Sequence, residues 1–327
     1  ANAFLISPEI SPVGFLDDDP AIHGSEITGL RVHSLDEIET LISRYGVDTV
    51  LLSTRKMSMH RKREVFAVLE NYPVAVKTIP SFGEVAQGKI RATDIMDMDV
   101  ADLLGRDAVA PDQTLLSSCI TSKSILVTGA GGSIGSELCR QIVRQAPIRI
   151  VLFELTEFAL YSIEHELRDL IVAKQLKIQI VPILGNAQDR NHLEKVMRHY
   201  RIDTVYHAAA YKHVPLVEHN VIAGLQNNVF GTLAAAEAAV ACNVSNFVLV
   251  STDKAVRPTN VMGASKRMAE MVLQAISERE KTQYHSTQFA MVRFGNVLGS
   301  SGSVIPNFRK QIKNGGPVKV THPDITR

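Results

Sequence analysis

Ser124-Ile125-Leu126-Val127-Thr128-Gly129-Ala130-Gly131-Gly132-Ser133-Ile134-Gly135 decides the fold: a buried strand runs straight into glycines spaced G-x-x-G-x-x-G, after which the pattern turns helical. Gly129, Gly132 and Gly135 serve a tight turn, the approach of backbone amides to a pyrophosphate, and close packing of helix on strand. Gly131, Ser133 and Ile134 complete the loop, and the helix N-terminus turns its positive end toward the phosphates. Alone, such a loop also fits an ordinary strand-to-helix turn.

The following residues turn that reading toward a dinucleotide. The next apolar run, Arg149-Ile150-Val151-Leu152-Phe153, ends on Glu154, about twenty residues past the last glycine, where a carboxylate accepts hydrogen bonds from adenosine ribose hydroxyls. A carboxylate there repels a 2′-phosphate, so NAD is favoured over NADP. Residues 178–183 read as a third strand, then Gly185-Asn186-Ala187, and residues 204–207 as a fourth leading into Ala208, Ala209 and Ala210, whose small side chains let the chain lie against a dinucleotide. Helices fill residues 155–174, 191–199 and 233–241, with a fifth strand at 246–251. Strands alternating with such helices imply an α/β fold, a Rossmann-type doubly wound parallel sheet.

Upstream, residues 12–16, 48–53 and 74–79 read as strands and 35–45 and 61–71 as helices, which gives a second, smaller Rossmann-like α/β lobe. Residues 1–6 resemble the tail of a helix, and the first strand and glycine turn of such a lobe are not found, so the chain reads as cut from a longer one. The expected organisation is a small lobe over 1–90, a connector over 91–123, and a dinucleotide-binding domain over 124–327 whose substrate region is incomplete. Asp17-Asp18-Asp19-Pro20 is either a strand end that faces a nucleotide or a solvated turn, and three acids before a proline favour the turn.

A formal charge of +1 over 327 residues leaves no strongly basic surface, so no nucleic-acid partner is expected, and no apolar run of membrane-spanning length or secretory signal is found. Cys119, Cys139 and Cys242 lack metal spacing and read as small buried thiols. His207, His213 and His219 recur every six residues, but that spacing does not align three ligands on a helix and no further ligand completes a set, so no metal is expected.

One more constellation carries chemistry. Ser251-Thr252-Asp253-Lys254 places an acid and a potential base at a strand end, and Met262 and Lys266, four apart, share one face of the helix after Pro258. A helix cap and a surface charge are the plain alternative for Asp253 and Lys254.

From about Asp112 onward the chain resembles the UDP-N-acetylglucosamine 4,6-dehydratases, a polysaccharide biosynthesis branch of the extended short-chain dehydrogenase/reductases. The resemblance rests on Thr128 to Glu137, His207-Ala208-Ala209-Ala210-Tyr211-Lys212-His213-Val214-Pro215, Thr252-Asp253-Lys254 with Met262 and Lys266, and Val292 to Gly299. The small lobe resembles the one preceding the catalytic domain in large members tethered by transmembrane helices. The resemblance thus implies a homo-oligomer at the cytoplasmic face of the bacterial inner membrane, attached only through segments not in this chain.

It further implies NAD as cofactor and a UDP-sugar as substrate. Asp253 is the acid at C6, Lys254 the base at C5, and Thr252 bonds the C4 oxygen. Lys254 must then be neutral, which calls for burial or nearby cations. Where relatives carry a tyrosine stands Met262, whose thioether has no proton to give or take, so the group that deprotonates the C4 hydroxyl stays open between a water, Lys254 and Asp253. Lys266 bonds the nicotinamide ribose and Gly295 belongs to the cofactor side. Asn186 replaces an aspartate against adenine and keeps an acceptor. Lys212, Asn296, Ser303, Val304 and Arg327 are the implied substrate contacts. A C4 epimerase and a nucleotide-sensing regulatory protein remain as other readings.

Overall fold

A computed structural model of the chain describes residues 11–53, 57–78, 96–97, 109, 111–281, 287–297 and 304–320. The helix tail expected over residues 1–6, and Ser303 and Arg327, lie outside these. The chain divides into two compact units, Ala1–Val109 and Ala110–Arg327.

In the first unit β1 (Phe15–Leu16) pairs in parallel with β3 (Leu30–His33), and β2 (Glu26–Ile27) pairs antiparallel with β3. This hairpin was not anticipated. It turns on Thr28 and Gly29, both with positive φ (55° and 80°), the primed geometry whose twist suits adjacent strands. A capping box between Ser34 and Glu37 opens a short 3₁₀ turn that leads into α1 (Ile38–Tyr45), which stops at left-handed Gly46. A second sheet joins β4 (Thr49–Leu52) in parallel to β5 (Ala75–Thr78), after α2 (Met59–Leu69), and β6 (Met96–Asp97) antiparallel to β5. Leu35, Ile38, Leu52, Val65 and Leu69 form the core. The parallel pairs fit the expected lobe, whereas the antiparallel edges depart from a plain Rossmann pattern. Asp17-Asp18-Asp19 makes a hydrogen-bonded turn: Asp19 caps Ala21, and Asp18 takes both Nε and Nη2 of Arg61, which hold its carboxyl below the usual range.

The second unit opens with α3 (Gln113–Ile120), inside the stretch read as connector; the Asp112 carboxylate accepts from the amides of Thr114 and Leu115 and so caps it. Then follow β7 (Ser124–Thr128), α4 (Ser133–Arg144), β8 (Arg149–Glu154), α5 (Glu157–Ala173), β9 (Gln179–Leu184), α6 (Arg190–Tyr200) and β10 (Thr204–His207). The chain continues through α7 (Val214–His219), α8 (Val221–Leu225), a π-turn Gln226–Phe230, α9 (Gly231–Ala241), β11 (Asn246–Thr252), α10 (Val261–Glu280), β12 (Gln288–Phe294) and α11 (Val304–Lys313).

Among the described residues the six strands of this unit are all parallel, in the order β12-β11-β10-β7-β8-β9. Both faces are covered, which is why β7 is buried at every position. On one face Leu126, Val151, Val205, Phe247 and Leu249 pack against α6, α9 and α10. On the other, Ile125, Val127, Ile150 and Leu152 pack against Cys139 and Ile142 of α4 and Leu160 and Leu167 of α5. The alanines of α9 keep that helix close to the sheet, and five of them are buried. Cys139 is fully buried, Cys119 and Cys242 half-buried. The strand order reverses between β7 and β10, and the crevice at their carboxyl ends is where an open α/β sheet binds ligands. Among the described residues no helix is long and apolar enough to cross a membrane.

Candidate active site

The glycine loop lies at that crevice, and its side-chain-free positions are sterically required. Gly129 has φ +65°, and a Cβ there would sit 2.8 Å from the backbone of Ala209. A Cβ on Gly131 would meet Ala159 of α5, and one on Gly135 would overlap the Gly129 carbonyl. Gly132 starts α4 without a side-chain cap, so an anion can take that place. Ser133 and Ile134 form the first turn of α4.

Glu154 ends β8 nearly buried, and its oxygens accept from the amides of Gly131 at 3.0 Å, Leu155 at 2.9 Å and Thr156 at 3.2 Å, so it braces the loop. Ala208, Ala209 and Ala210 follow β10, with the Ala208 amide bonded to Thr128. Asn186 is exposed and its side-chain oxygen accepts from the Gln188 amide, while Ala187 is buried. These elements form a cradle that fits a dinucleotide: a glycine turn, an uncapped helix N-terminus, and a carboxylate one strand away.

The chemical groups collect at the ends of β11 and β12. Thr252 Oγ1 donates to Asp253 Oδ1 at 3.0 Å; Lys254 Nζ reaches the same Oδ1 at 3.3 Å and Asn296 Oδ1 at 3.4 Å. Gly295 stands beside Asp253, since a Cβ on it would come within 4.0 Å of Oδ2. Burial raises the Asp253 carboxyl, but the Thr252 hydroxyl and the Lys254 ammonium outweigh it and hold the group below its ordinary value. The surroundings expected to neutralise Lys254 are not those seen: its partner is an anion, and 32% of its side chain is exposed.

Behind this turn lies α10. Met262 is buried at 4% exposure. Lys266 is also buried, donates to the Val250 carbonyl at 2.8 Å, and is pulled down by burial to about 8 against the attraction of Glu270. Gly263 lets the helix touch the Lys254 backbone, and its amide is capped by Asn260.

Three further residues support the site. Asn228, fully buried in the π-turn, uses every polar position it has: Oδ1 accepts from the Tyr211 amide and Asn227, and Nδ2 donates to the Tyr211 carbonyl and Ser265. Ser265 in turn donates to the Met262 carbonyl. Glu270, fully buried one turn beyond Lys266, accepts from Ser251 at 2.7 Å, from Arg293 at 2.9 and 2.6 Å and from Arg267 at 3.0 Å. Burial would raise its carboxyl, but Arg293, Ser251 and Arg267 hold it at about 2. Polar residues inside an amphipathic pattern, followed three or four residues on by a charge, were the available signal.

Of the three histidines, His207 is buried in the sheet, bonded through Nδ1 to Thr128 Oγ1 at 2.7 Å and pushed by burial, then by the Lys266 charge, to about 3. His213 precedes α7 and His219 ends it, both exposed. Among the described residues no three His, Cys, Asp or Glu side chains gather as a metal site. Lys212 is exposed in the loop after β10, and Val304 begins α11.

A family model described as polysaccharide biosynthesis protein matches residues 125–327. The chain is 42% identical to the capsular polysaccharide biosynthesis protein CapD of Staphylococcus aureus over 97% of its length and 52% of the relative's. It is 32% identical to a UDP-glucose 4-epimerase of Rickettsia canadensis over 63% of its length and 58% of that protein's. The chain therefore spans about half the length of the curated relatives it matches. Among solved structures it is similar to Pen from Bacillus thuringiensis, with 33% identity, a TM-score of 0.56, and coverage of 62% of this chain and 61% of the other.

Proposed function

The chain belongs to the polysaccharide biosynthesis protein family, and on that premise we propose that it is an NAD-dependent nucleotide-sugar 4,6-dehydratase. It converts UDP-N-acetylglucosamine to the UDP-4-keto-6-deoxy sugar for bacterial surface polysaccharide or glycan synthesis. The observation that carries this reading is the Asp253–Lys254 pair at the end of β11, 3.3 Å apart, with the inert thioether of Met262 on the helix behind it.

The C5 hydrogen of a hexose is not acidic until C4 is a ketone. Bound NAD would supply hydride acceptance at C4 and hydride return at C6. All other work falls to the chain's side chains. The glycine loop holds the pyrophosphate, Glu154 the adenosine ribose and Lys266 the nicotinamide ribose. Thr252 holds the C4 oxygen, Lys254 removes the C5 proton and Asp253 protonates the departing C6 hydroxyl. Lys212, Asn296, Ser303, Val304 and Arg327 serve the sugar nucleotide. The resting pair holds the opposite charges, so elimination needs one proton delivered to Asp253 and one taken from Lys254.

A second reading, a UDP-sugar C4 epimerase, draws on the similarity to the Rickettsia protein. Epimerisation has no use for an acid at C6 and a base at C5, and Met262 cannot replace the tyrosine such enzymes use. The test is NMR of products formed by the full-length gene product from UDP-N-acetylglucosamine. A 4-keto-6-deoxy sugar is expected. The C4 epimer alone would establish the epimerase, and no conversion with NAD bound would leave a nucleotide sensor.

A further inference from the structure

We infer that Asp253 is also the base for the C4 hydroxyl, reached through the Thr252 hydroxyl, so that one proton travels from O4 to O6. The inference rests on the dehydratase reading. It begins with a count of bonding positions at Thr252. Its Oγ1 donates to Asp253 Oδ1 at 3.0 Å and accepts from the Lys254 amide at 3.3 Å. A hydroxyl has one hydrogen and two lone pairs, so one acceptor position remains for the C4 hydroxyl. The acceptor at the end of this line is an ionised carboxylate, the state a base requires, and Met262 on the neighbouring helix offers none.

The protons balance. As hydride leaves C4 for the oxidised nicotinamide cofactor, the O4 proton passes to Thr252 Oγ1 and the Thr252 proton to Asp253, which becomes neutral. Lys254 gives up its proton to solvent through its exposed third. Neutral Lys254 then takes the C5 proton while Asp253 gives its proton to O6, which leaves as water. Hydride returns to C6, Lys254 returns a proton to C5, and solvent recharges it beside the restored carboxylate. The resting ion pair is thus the state that each turnover regenerates.

Two variants with bound NAD and UDP-N-acetylglucosamine separate the roles in the full-length gene product. Lys254→Ala should still oxidise C4 and accumulate reduced cofactor, visible by its near-ultraviolet absorbance. Asp253→Asn should slow cofactor reduction itself by on the order of 10²–10⁴, as should Thr252→Val, with Thr252→Ser restoring it. Accumulation of reduced cofactor in Asp253→Asn, with wild type turning over, overturns the relay and leaves the dehydratase reading intact. A wild type that neither reduces its cofactor nor forms product overturns both. Without cofactor or substrate, ¹³C NMR of the Asp253 carboxyl should show its titration moving up in Thr252→Val and unchanged in Thr252→Ser; no movement in either variant overturns the relay.

Discussion

Gly263 faces the carbonyl oxygen of Lys254 so closely that a methyl group there would overlap that oxygen. The helix that carries Met262 and Lys266 is thus seated directly on the turn that carries the acid and the base. Gly263→Ala should push the two apart and lower dehydration by on the order of 10²-fold, the scale of a misplacement of about 1 Å. Turnover measured beside NAD content checks it, and normal turnover would show that the turn gives way freely.

Met262→Leu should be far milder. Leucine keeps the apolar volume at a site only 4% exposed, and the polar contact the structure uses there is the backbone carbonyl, which accepts from Ser265. Dehydration should fall by much less than the roughly hundredfold typical of losing a general base. A rate as low as that of Lys266→Ala, with NAD still bound, would give the sulfur a chemical role.

Glu154→Ala should weaken NAD binding by about 1.5–3 kcal/mol, one charge-assisted hydrogen bond. It should also lower the melting temperature of the cofactor-free protein, since the amides of Gly131, Leu155 and Thr156 lose their acceptor. Calorimetric titration and thermal melts measure the two effects separately. Loss of affinity with unchanged melting would mean that the brace contributes nothing.

Lys266 is a conflict between burial and function. Its folded value of about 8 lies below the ordinary 10.5, so between these the unfolded chain binds more protons and stability rises with pH. Below about pH 8 the buried ammonium costs the fold about 3 kcal/mol. Lys266→Met should be more stable than wild type near pH 7, by an amount that shrinks as pH rises toward 10.5, while losing activity. Denaturant melts across that range test it.

Glu270 has the opposite sign. Its folded value of about 2 lies below 4.5, so its contribution, about 3 kcal/mol, is present above pH 4.5 and is lost as pH falls toward 2. Glu270→Gln should destabilise by that order at neutral pH and by progressively less in acid. A pH-independent difference would place its value in packing rather than charge.

The sequence made the central sheet legible because its signals are local. β7 and β10 fall at their expected residues, since a short apolar run before glycine or alanine has few other readings, and Glu154 follows from counting along a βαβ unit. α3 was absorbed into a connector because its apolar side is short and Leu115 is exposed. β12 carries a weak signal although Phe289 and Met291 alternate inward, since an edge strand half open to solvent mixes polar and apolar residues freely. The Glu270 and Asn228 networks join residues that only the folded sheet brings together. The 3.3 Å contact between Asp253 and Lys254 is one that no spacing rule reports.

The pairing of Ser251 with Arg293 and of Thr252 with Phe294 has a consequence for how this gene tolerates change. Side chains alternate faces along a strand, so one codon inserted or deleted between Gln288 and Phe294, unless absorbed as a bulge, turns Arg293 away from Glu270. It also carries Asn296 about 3.3 Å from Lys254. Substitutions in this strand alter one contact, whereas a change of length rewires every contact after it.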